Sequence, residues 1–261
     1  MRQALMARII AVTNQKGGVG KTTTTVNLAA SLASLGQRVL AVDIDPQANA
    51  TSGLGHARGT ISGGMYQALL GDEAPVLVDT GLPTLKLLPS TADLSAAEVE
   101  LVSEFARETR LKRMLEPMRA QYDYVFIDCP PSLGLLTVNA LTAADSVLIP
   151  LQCEYFALEG LSQLVHTVEL VRRQINQTLD LEGILLTMFD PRNNLAHQVV
   201  TDVREHFKEK VFATMIPRNV RLSESPSFGK PALLYDPASR GSQSYLQLAE
   251  ELLARRAAAA A

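Results

Sequence analysis

Residues 16–23, with the sequence KGGVGKTT, limit what this chain can fold into more than any other segment. They follow an apolar run at 8–13 that is typical of a buried strand, and they precede helical periodicity at 22–35. Glycines allow such a loop to wrap around phosphate oxygens, and the helix start adds the positive end of its dipole. Lys21 can reach the β- and γ-phosphates of a nucleotide, and Thr22 can offer its hydroxyl to magnesium. The segment therefore predicts a P-loop that binds ATP and Mg²⁺.

The loop departs from the usual P-loop pattern at its first position. Gln15 replaces the first glycine of that pattern, and a second lysine, Lys16, follows it. Lysines at both ends carry more positive charge than one triphosphate needs from its own subunit. The departure points to a particular class of P-loop protein.

Strand-like apolar runs alternate with amphipathic stretches of helical length along nearly the whole chain. This alternation predicts an α/β protein with the three-layer P-loop NTPase fold, a twisted and mainly parallel sheet with helices on both faces. We expect a single domain over residues 1–261, with 1–7 and 257–261 disordered or frayed. Strands are predicted at 8–13, 38–42, 85–88, 124–127, 146–149, 183–187 and 211–216. Helices are predicted at 22–35, about 95–119, 158–175 and 195–207, with an amphipathic C-terminal helix that includes Tyr245, Leu248, Ala249 and Leu252.

Carboxylates stand where two of these strands end. Asp128 follows the strand at 124–127, and Asp43 and Asp45 follow the strand at 38–42. An aspartate at a strand end is often a turn residue, but carboxylates at neighbouring strand ends also hold the water shell of a magnesium ion. Their joint placement beside a P-loop favours the magnesium–nucleotide site.

Charge and cysteine content exclude some classes of function. The formal net charge is −3, so no strong basic footprint points to nucleic acid, although basic residues outnumber acidic ones after residue 189. The start of the chain lacks the pattern of a signal peptide, and no apolar run is long enough to span a membrane. Cys129 and Cys153 lack metal-binding spacing and are expected to be buried, reduced thiols. We therefore expect a cytoplasmic protein.

Several motifs together resemble the ParA/Soj chromosome-partitioning ATPases, which belong to the deviant Walker A class of P-loop NTPases. The resemblance covers essentially the whole chain. It rests on KGGVGKTT at 16–23, VDIDPQ at 42–47, DCPPS at 128–132, CEYFALEG at 153–160, IPRNVRL at 216–222 and PSFGKP at 226–231.

The resemblance implies roles in the nucleotide site. Lys16 would cross to the phosphates of a partner subunit, and Gly17 would permit close approach of that subunit. Asp45 would position the attacking water, and Asp128 would act on magnesium through a water molecule. The implied catalytic residues are Lys16, Lys21 and Asp45, and the implied metal-site residues are Thr22, Asp45 and Asp128. The implied nucleotide-binding residues are Lys16, Gly17, Gly18, Val19, Gly20, Lys21, Thr22, Thr23, Pro217 and Asn219.

The resemblance also implies partners. An ATP-bound homodimer would bind double-stranded DNA without sequence preference, on the nucleoid, and a ParB-like centromere-binding protein would stimulate hydrolysis. Arg192 and Arg221 would contact DNA, with Arg218, Lys230, Lys208 and Lys210 as further candidates. Cargo could be a chromosome or a plasmid. Two alternatives stay open at this point: a MinD-like ATPase that cycles on a membrane through its C-terminal helix, and an ATP-gated DNA-binding scaffold with negligible turnover.

Overall fold

A computed structural model describes residues 6–61, 63–71, 75–154 and 157–259. It contains a seven-stranded sheet in the order β3-β4-β2-β5-β1-β6-β7, in which only β3 runs antiparallel to its neighbour. The strands are β1 Arg8–Val12, β2 Val39–Asp43, β3 Val78–Asp79, β4 Leu85–Leu88, β5 Tyr124–Asp128, β6 Ser146–Gln152 and β7 Asp180–Thr187. The mainly parallel sheet with helices around it confirms the predicted fold class.

Helices cover both faces of this sheet. The longer ones are α1 Lys21–Ser34, α6 Leu135–Ala143, α7 Ala157–Gln174, α8 Asn194–Phe207 and α11 Arg240–Ala259. The shorter ones are α2 Asn49–Gly53, α3 Met65–Leu70, α4 Leu94–Glu100, α5 Arg110–Leu115, α9 Val220–Glu224 and α10 Ala232–Tyr235.

Alternate residues of each strand enter two separate cores. On β1, Ile9 packs into the core that contains α6, α7 and α8, whereas Ile10 packs into the core that contains α1 and α11. Successive side chains of a strand point to opposite faces, so both faces of the central strands need apolar residues. Tyr245, Leu248, Ala249 and Leu252 of α11 are all buried in the second core, as the amphipathic pattern predicted.

The register of the central strands sets the position of the functional residues. Asp43 at the end of β2 lies beside Asp128 at the end of β5, and β5 also pairs with β1, from which the P-loop continues. The carboxyl ends of parallel strands meet at one edge of the sheet, so the loop and both aspartates lie together.

The long helix predicted at about 95–119 is wrong. The segment is divided into α4, short 3₁₀ turns and α5, with Glu104 extended and Ala106 left-handed at φ 52°. The buried Asn139 of α6 accepts a hydrogen bond from the Leu111 amide and donates one to the Arg107 carbonyl. These contacts replace hydrogen bonds that a continuous helix would make, and Pro117 lacks an amide hydrogen. Helix α6 was not predicted, since its apolar residues show no helical period.

The strand predicted at 211–216 is also wrong. The Phe212 amide donates to the Ile184 carbonyl, and the Ile216 amide donates to the Leu186 carbonyl. Between these two hydrogen bonds the segment contains two more residues than β7. The carboxylate of Glu251 on α11 accepts hydrogen bonds from the Ala213 and Thr214 amides. A side chain thus takes the place of a continuous strand ladder.

The two predicted frayed ends fall partly outside the described residues, at 1–5 and 260–261. Within the described residues, Ala7 is buried and its amide donates to the Arg119 carbonyl at 3.0 Å. Helix α11 continues through 257–259. In the described part of the chain, no helix is both long and apolar enough to cross a membrane.

Candidate functional site

The P-loop connects β1 to α1 and turns through two glycines with positive φ. Gly18 has φ 74° and Gly20 has φ 93°, backbone conformations that residues with a side chain rarely adopt. Val19 between them is buried, and its carbonyl accepts a hydrogen bond of 2.9 Å from the Thr187 hydroxyl at the end of β7. Thr187 was not among the site residues predicted from the sequence. The glycines therefore set the backbone conformation of the loop, and the hydrogen bond from Thr187 holds the loop against β7.

Lys21 is held inside the loop. Its ammonium donates to the Lys16 carbonyl at 3.1 Å, and the residue is buried. Burial lowers the pKa of Lys21, while the charges of Asp128, Cys129 and Asp45 oppose that shift. A partly desolvated ammonium at the centre of a glycine loop suits a phosphate.

Asp128 is fully buried and bonded to hydroxyl groups of α1. The Thr22 hydroxyl donates to one of its oxygens at 2.7 Å, and the Thr25 hydroxyl donates to the other at 3.1 Å. Burial, followed by the charge of Asp43, raises the pKa of Asp128 well above its ordinary value, against these two hydrogen bonds. Among the described residues, no lysine or arginine forms an ion pair with it.

This donor set fits magnesium. A hard cation prefers carboxylate, hydroxyl and water oxygens, and in nucleotide sites it keeps several waters and takes phosphate oxygens as ligands. Asp128 supplies negative charge that its own surroundings do not balance, and the Thr22 hydroxyl lies beside it. The described residues contain no group of three or more His, Cys, Asp or Glu side chains that would hold a metal alone. A site completed by phosphate and water agrees with that composition.

Asp43 and Asp45 have different environments although they are two residues apart. Asp43 accepts hydrogen bonds from the amide and hydroxyl of Thr51 and from the Asp45 amide. Burial raises the pKa of Asp43 to about 6 in spite of these bonds. Because these groups of the protein use its carboxylate oxygens, Asp43 stabilises the turn that follows β2.

Asp45 instead faces the phosphate loop. It lines a cavity of about 300 Å³ together with Gly17, Lys21, Thr22 and other residues of the loop. One of its oxygens accepts from the Gln47 amide at 2.9 Å, which fixes the direction of the carboxylate. Asp45 is thus placed to contact a group bound in the loop.

A second cavity, of about 540 Å³, adjoins the phosphate loop at Gly20 and Thr23. Its lining includes Gly20, Thr23, Met188, Pro217 and Asn219. The side-chain oxygen of Asn219 accepts from the Arg221 amide at 2.9 Å, which leaves its amino group to donate elsewhere. The structure therefore brings Pro217 and Asn219, 200 residues away in the chain, next to the P-loop.

Lys16 differs from the other charges of the site because it is exposed. Its ammonium lies 2.6 Å from a carboxylate oxygen of Glu154, and both side chains are about half exposed, at 49% and 47%. Gln152 donates to the other oxygen of Glu154. The sequence analysis placed Glu154 only within a family motif and did not connect it with Lys16.

Of the four arginines and lysines assigned to DNA, Arg192 and Arg218 lie on two neighbouring loops and Arg221 lies in α9, which follows the second loop. The Arg218 amide donates to the Phe189 carbonyl at 3.2 Å, which joins the loop carrying Arg192 to the loop carrying Arg218, and Arg221 follows in α9. Arg192 pairs with Asp190, and Arg221 pairs with Glu224 and Asp236. The acidic partners reduce the positive charge of this surface. The positions of the arginines in the sequence did not predict these ion pairs.

Two of the further candidates lie elsewhere. The Lys210 ammonium pairs with Asp180 at the start of β7, whereas Arg192 follows the end of that strand. A strand of eight residues spans about 25 Å, so Lys208 and Lys210 cannot share a surface with Arg192. The proposal that they supplement the patch is wrong, because the intervening segment crosses the whole depth of the sheet. Lys230 follows the 3₁₀ turn Ser225–Phe228, close to α10.

Both cysteines are buried free thiols. Burial raises the pKa of each, to about 11 for Cys153. The burial of both side chains is as predicted from the sequence.

Comparison with known proteins agrees with this geometry. A family model described as an AAA domain matches residues 7–181. The chromosome partitioning protein ParA of Myxococcus xanthus (strain DK1622) is 61% identical over 254 residues, covering 97% of this chain and 90% of the relative. The sporulation initiation inhibitor protein Soj of Bacillus subtilis (strain 168) is 58% identical over 251 residues, covering 95% of this chain and 99% of the relative. A solved structure described as cobyrinic acid a,c-diamide synthase from Mycobacterium smegmatis, with bound ATP analogue and magnesium, is 40% identical with a TM-score of 0.83, covering 95% and 94% of the two chains.

Proposed function

The chain belongs to the ParA/Soj family of chromosome-partitioning P-loop ATPases, with ATP as substrate and Mg²⁺ as cofactor, and on this premise we propose that it is a DNA-segregation ATPase that works as a nucleotide-dependent dimer. ATP closes a sandwich dimer, the dimer binds DNA without sequence preference, and hydrolysis stimulated by a ParB-like partner releases it. The cargo is a chromosome or a plasmid copy carried over the nucleoid.

The exposed position of Lys16 carries this proposal. The other charges of the nucleotide site (Lys21, Asp43, Asp45 and Asp128) are all buried. Lys16 alone stands on the open rim of the phosphate loop, with half of its side chain in solvent. A lysine there can leave Glu154 and reach phosphates bound by a second copy, so ATP binding and dimerisation become one switch.

The residues of the nucleotide site other than Asp43 have separate tasks in hydrolysis. Lys21 and the loop amides bind the phosphates, while Thr22 and Asp128 would hold the metal and its waters. Magnesium, when bound with ATP, offsets phosphate charge and polarises the γ-phosphoryl group. Asp45, directed by the Gln47 amide, orients the attacking water. Pro217 and Asn219 lie against the base.

The surface formed by Arg192, Arg218, Arg221 and Lys230 suits DNA only when it is doubled. Asp190, Glu224 and Asp236 pair with its arginines, so one copy presents a small positive excess. Affinity for phosphates rises steeply with the number of contacts, and a dimer brings two such surfaces to one duplex. ATP-dependent DNA binding then needs no separate recognition domain.

The MinD-like alternative requires a free apolar face on the C-terminal helix. Tyr245, Leu248 and Leu252 of α11 are buried against α1 and the sheet. A helix whose apolar residues form part of the core cannot insert them into a lipid surface without unfolding. No observation on the described residues favours this second function.

The first experiment measures binding to random-sequence duplex DNA and to anionic liposomes, with ATP, ADP or no nucleotide, across a salt series. DNA binding that needs ATP and falls steeply with salt supports the proposal. ATP-dependent liposome binding without DNA binding overturns it in favour of the membrane-cycling function.

Variants then separate the parts. Lys16→Ala is expected to lose ATP-dependent dimerisation while retaining nucleotide binding, and Asp45→Ala is expected to accumulate an ATP-bound dimer. Arg192→Glu with Arg221→Glu should lose DNA binding and keep the dimer. A matched control reverses Arg172 and Arg173, two exposed arginines at the far end of α7. Equal loss of DNA binding in the control would contradict the assignment of Arg192 and Arg221 as DNA contacts.

A further inference from the structure

The side chain of Arg221 is held by two carboxylates that come from different elements of the fold. Its Nη1 donates to an oxygen of Glu224 at 2.8 Å, and its Nε lies 3.2 Å from an oxygen of Asp236. Glu224 ends α9, whereas Asp236 follows α10. The Arg221 side chain is 49% exposed, against 88% for Arg192, which pairs only with Asp190 of its own loop. Glu224 and Asp236 are called the carboxylate pair.

The main chain on both sides of this contact is fixed. The Arg221 amide donates to the side-chain oxygen of Asn219 at 2.9 Å, and Asn219 lines the second cavity. The Ala232 amide at the start of α10 donates to the side chain of Asn27 on α1 at 2.7 Å, and both residues are buried. Because Asp236 directly follows α10, the carboxylate pair can hold the guanidinium in one direction.

These contacts leave part of the guanidinium group to a ligand. An arginine side chain has five N–H groups, of which Glu224 takes one on Nη1, while Nε faces Asp236. Among the residues that the structure describes, none accepts a hydrogen bond from Nη2 of Arg221. Two N–H donors on a half-exposed arginine suit the oxygens of a phosphate group.

The carboxylate pair has two opposite effects on the binding of a phosphate. Its negative charges repel the phosphate, but across about 7 Å of water at physiological salt each charge changes affinity by about twofold or less. Its contacts also remove rotamer freedom that Arg221 would otherwise lose on binding, and that loss corresponds to about two- to tenfold in affinity. Variants of equal charge therefore separate positioning from repulsion.

We propose that the carboxylate pair positions the Arg221 guanidinium for a backbone phosphate of DNA. The inference rests on the proposed function, in which Arg221 contacts duplex DNA without sequence preference. Glu224 and Asp236 are positioning residues, since they contact the arginine and not the DNA. Their charge lowers the positive charge of the surface, and the fixed direction of Arg221 offsets that loss. A dimer presents two such arginines to one duplex, so the effect acts twice.

Two double variants with the same charge test the proposal. The amide variant, Glu224→Gln with Asp236→Asn, keeps side-chain oxygens that accept from the guanidinium, whereas the alanine variant, Glu224→Ala with Asp236→Ala, removes them. With ATP, the amide variant should bind random-sequence duplex DNA about tenfold more tightly than the alanine variant. The plot of log affinity against log salt should be less steep for the alanine variant by about two, because each copy loses one phosphate contact.

Removal of Arg221 is the control that isolates its positioning. In an Arg221→Ala background the alanine and amide variants should bind DNA equally, because no guanidinium remains to be held. Asp202→Ala and Asp202→Asn, at an exposed carboxylate of α8, should also bind DNA equally. Light scattering checks that each variant forms the ATP-dependent dimer. If the alanine variant does not fold, Asp236→Ala and Asp236→Asn repeat the comparison with an expected ratio of about threefold.

Each outcome decides a different statement. Equal DNA affinity of the alanine and amide variants would overturn the inference and leave the proposed function intact. A difference that persists without Arg221 would show that the carboxylates act on another group, which also overturns the inference. A wild type that does not bind DNA with ATP would refute the DNA binding of the proposed function, and the positioning role with it.

Discussion

The parallel strands begin at one edge of the sheet, the amino edge, and end at the other, the carboxyl edge. Charged side chains at these two edges have opposite environments. At the amino edge, Arg8 pairs with Glu182, Arg119 with Asp145 and Lys210 with Asp180. At the carboxyl edge, Asp43 and Asp128 are adjacent and fully buried, and the described residues give neither an ion pair. These carboxylates of the amino edge are balanced by cations of the chain, whereas Asp43 and Asp128 at the carboxyl edge are not.

Their pKa shifts follow this difference. Burial raises the pKa of Asp180 somewhat, but hydrogen bonds from Lys210 and the Leu181 amide, with the nearby positive charges, leave it lowered. Burial raises the pKa values of Asp43 and Asp128, and no cation reverses the shift. Perturbed carboxylates of this kind are typical of a site whose charge is completed by a ligand. The ion pairs of the amino edge thus stabilise the fold, whereas the buried carboxylates of the carboxyl edge remain available to nucleotide and metal.

The largest effect is expected at the centre of the carboxyl edge. Lys21→Ala removes the one buried cation of the phosphate loop, so ATP hydrolysis should fall by about 10³-fold or more. Steady-state hydrolysis and nucleotide titration measure the loss. Arg8→Ala, which breaks an ion pair of the amino edge, should leave hydrolysis within about twofold at a temperature where the protein is folded. Comparable losses in both variants would contradict the division between the edges.

Neutral substitutions should change stability with opposite signs at the two edges. Asp128→Asn removes a buried charge and keeps partners, since the Thr22 hydroxyl can accept from the new amide. Without nucleotide at pH 8, it should stabilise the protein by about 1–3 kcal/mol while abolishing magnesium-dependent hydrolysis. Asp145→Asn should instead destabilise it by about 1–3 kcal/mol, because Arg119 loses its ionic partner. Urea unfolding measures both changes in the free energy of unfolding. Changes of the same sign would contradict the difference between the two edges.

The pH dependence of stability tests the burial of Asp43 at the carboxyl edge. The pKa of Asp43 is about 6 in the folded chain against an ordinary value of 3.8, so the folded state binds this proton more tightly. The free energy of unfolding of the nucleotide-free protein should therefore rise by about 1 kcal/mol as pH falls from about 7 to 5. Asp43→Asn should remove this contribution to the slope. A wild-type stability that is flat or falls over that range would contradict the burial argument.

The smallest effect is expected at the exposed rim. Glu154→Gln breaks the ion pair that holds Lys16 within its own chain, and an exposed pair of this kind is worth about 0–1 kcal/mol. The ATP concentration that gives half-maximal dimerisation should fall by less than about fivefold, as measured by light scattering. Glu169→Gln, which removes an exposed pair with Arg173 on α7, is the control. Weaker dimerisation in Glu154→Gln would show that Glu154 supports the dimer.

Elements with local signals could be predicted from the amino-acid sequence. Glycines at 17, 18 and 20 next to an apolar run predict the phosphate loop, because the left-handed turns at Gly18 and Gly20 depend on the residues that occupy them. The buried strands carry β-branched and aromatic residues without a polar face, and strand-end carboxylates followed from their spacing. Most of the sheet and the phosphate half of the site were therefore predictable.

Tertiary structure alone decided which of these residues share an environment. Asp43 and Asp45 are equivalent in sequence, but Thr51 occupies one carboxylate and the cavity exposes the other. Asn139 of α6 divides the segment predicted as one helix, and β7 separates Lys210 from Arg192. The ion pair between Lys16 and Glu154 joins residues 138 positions apart. Such contacts depend on the packing of distant segments, and hydrophobic period and local turn chemistry do not encode them.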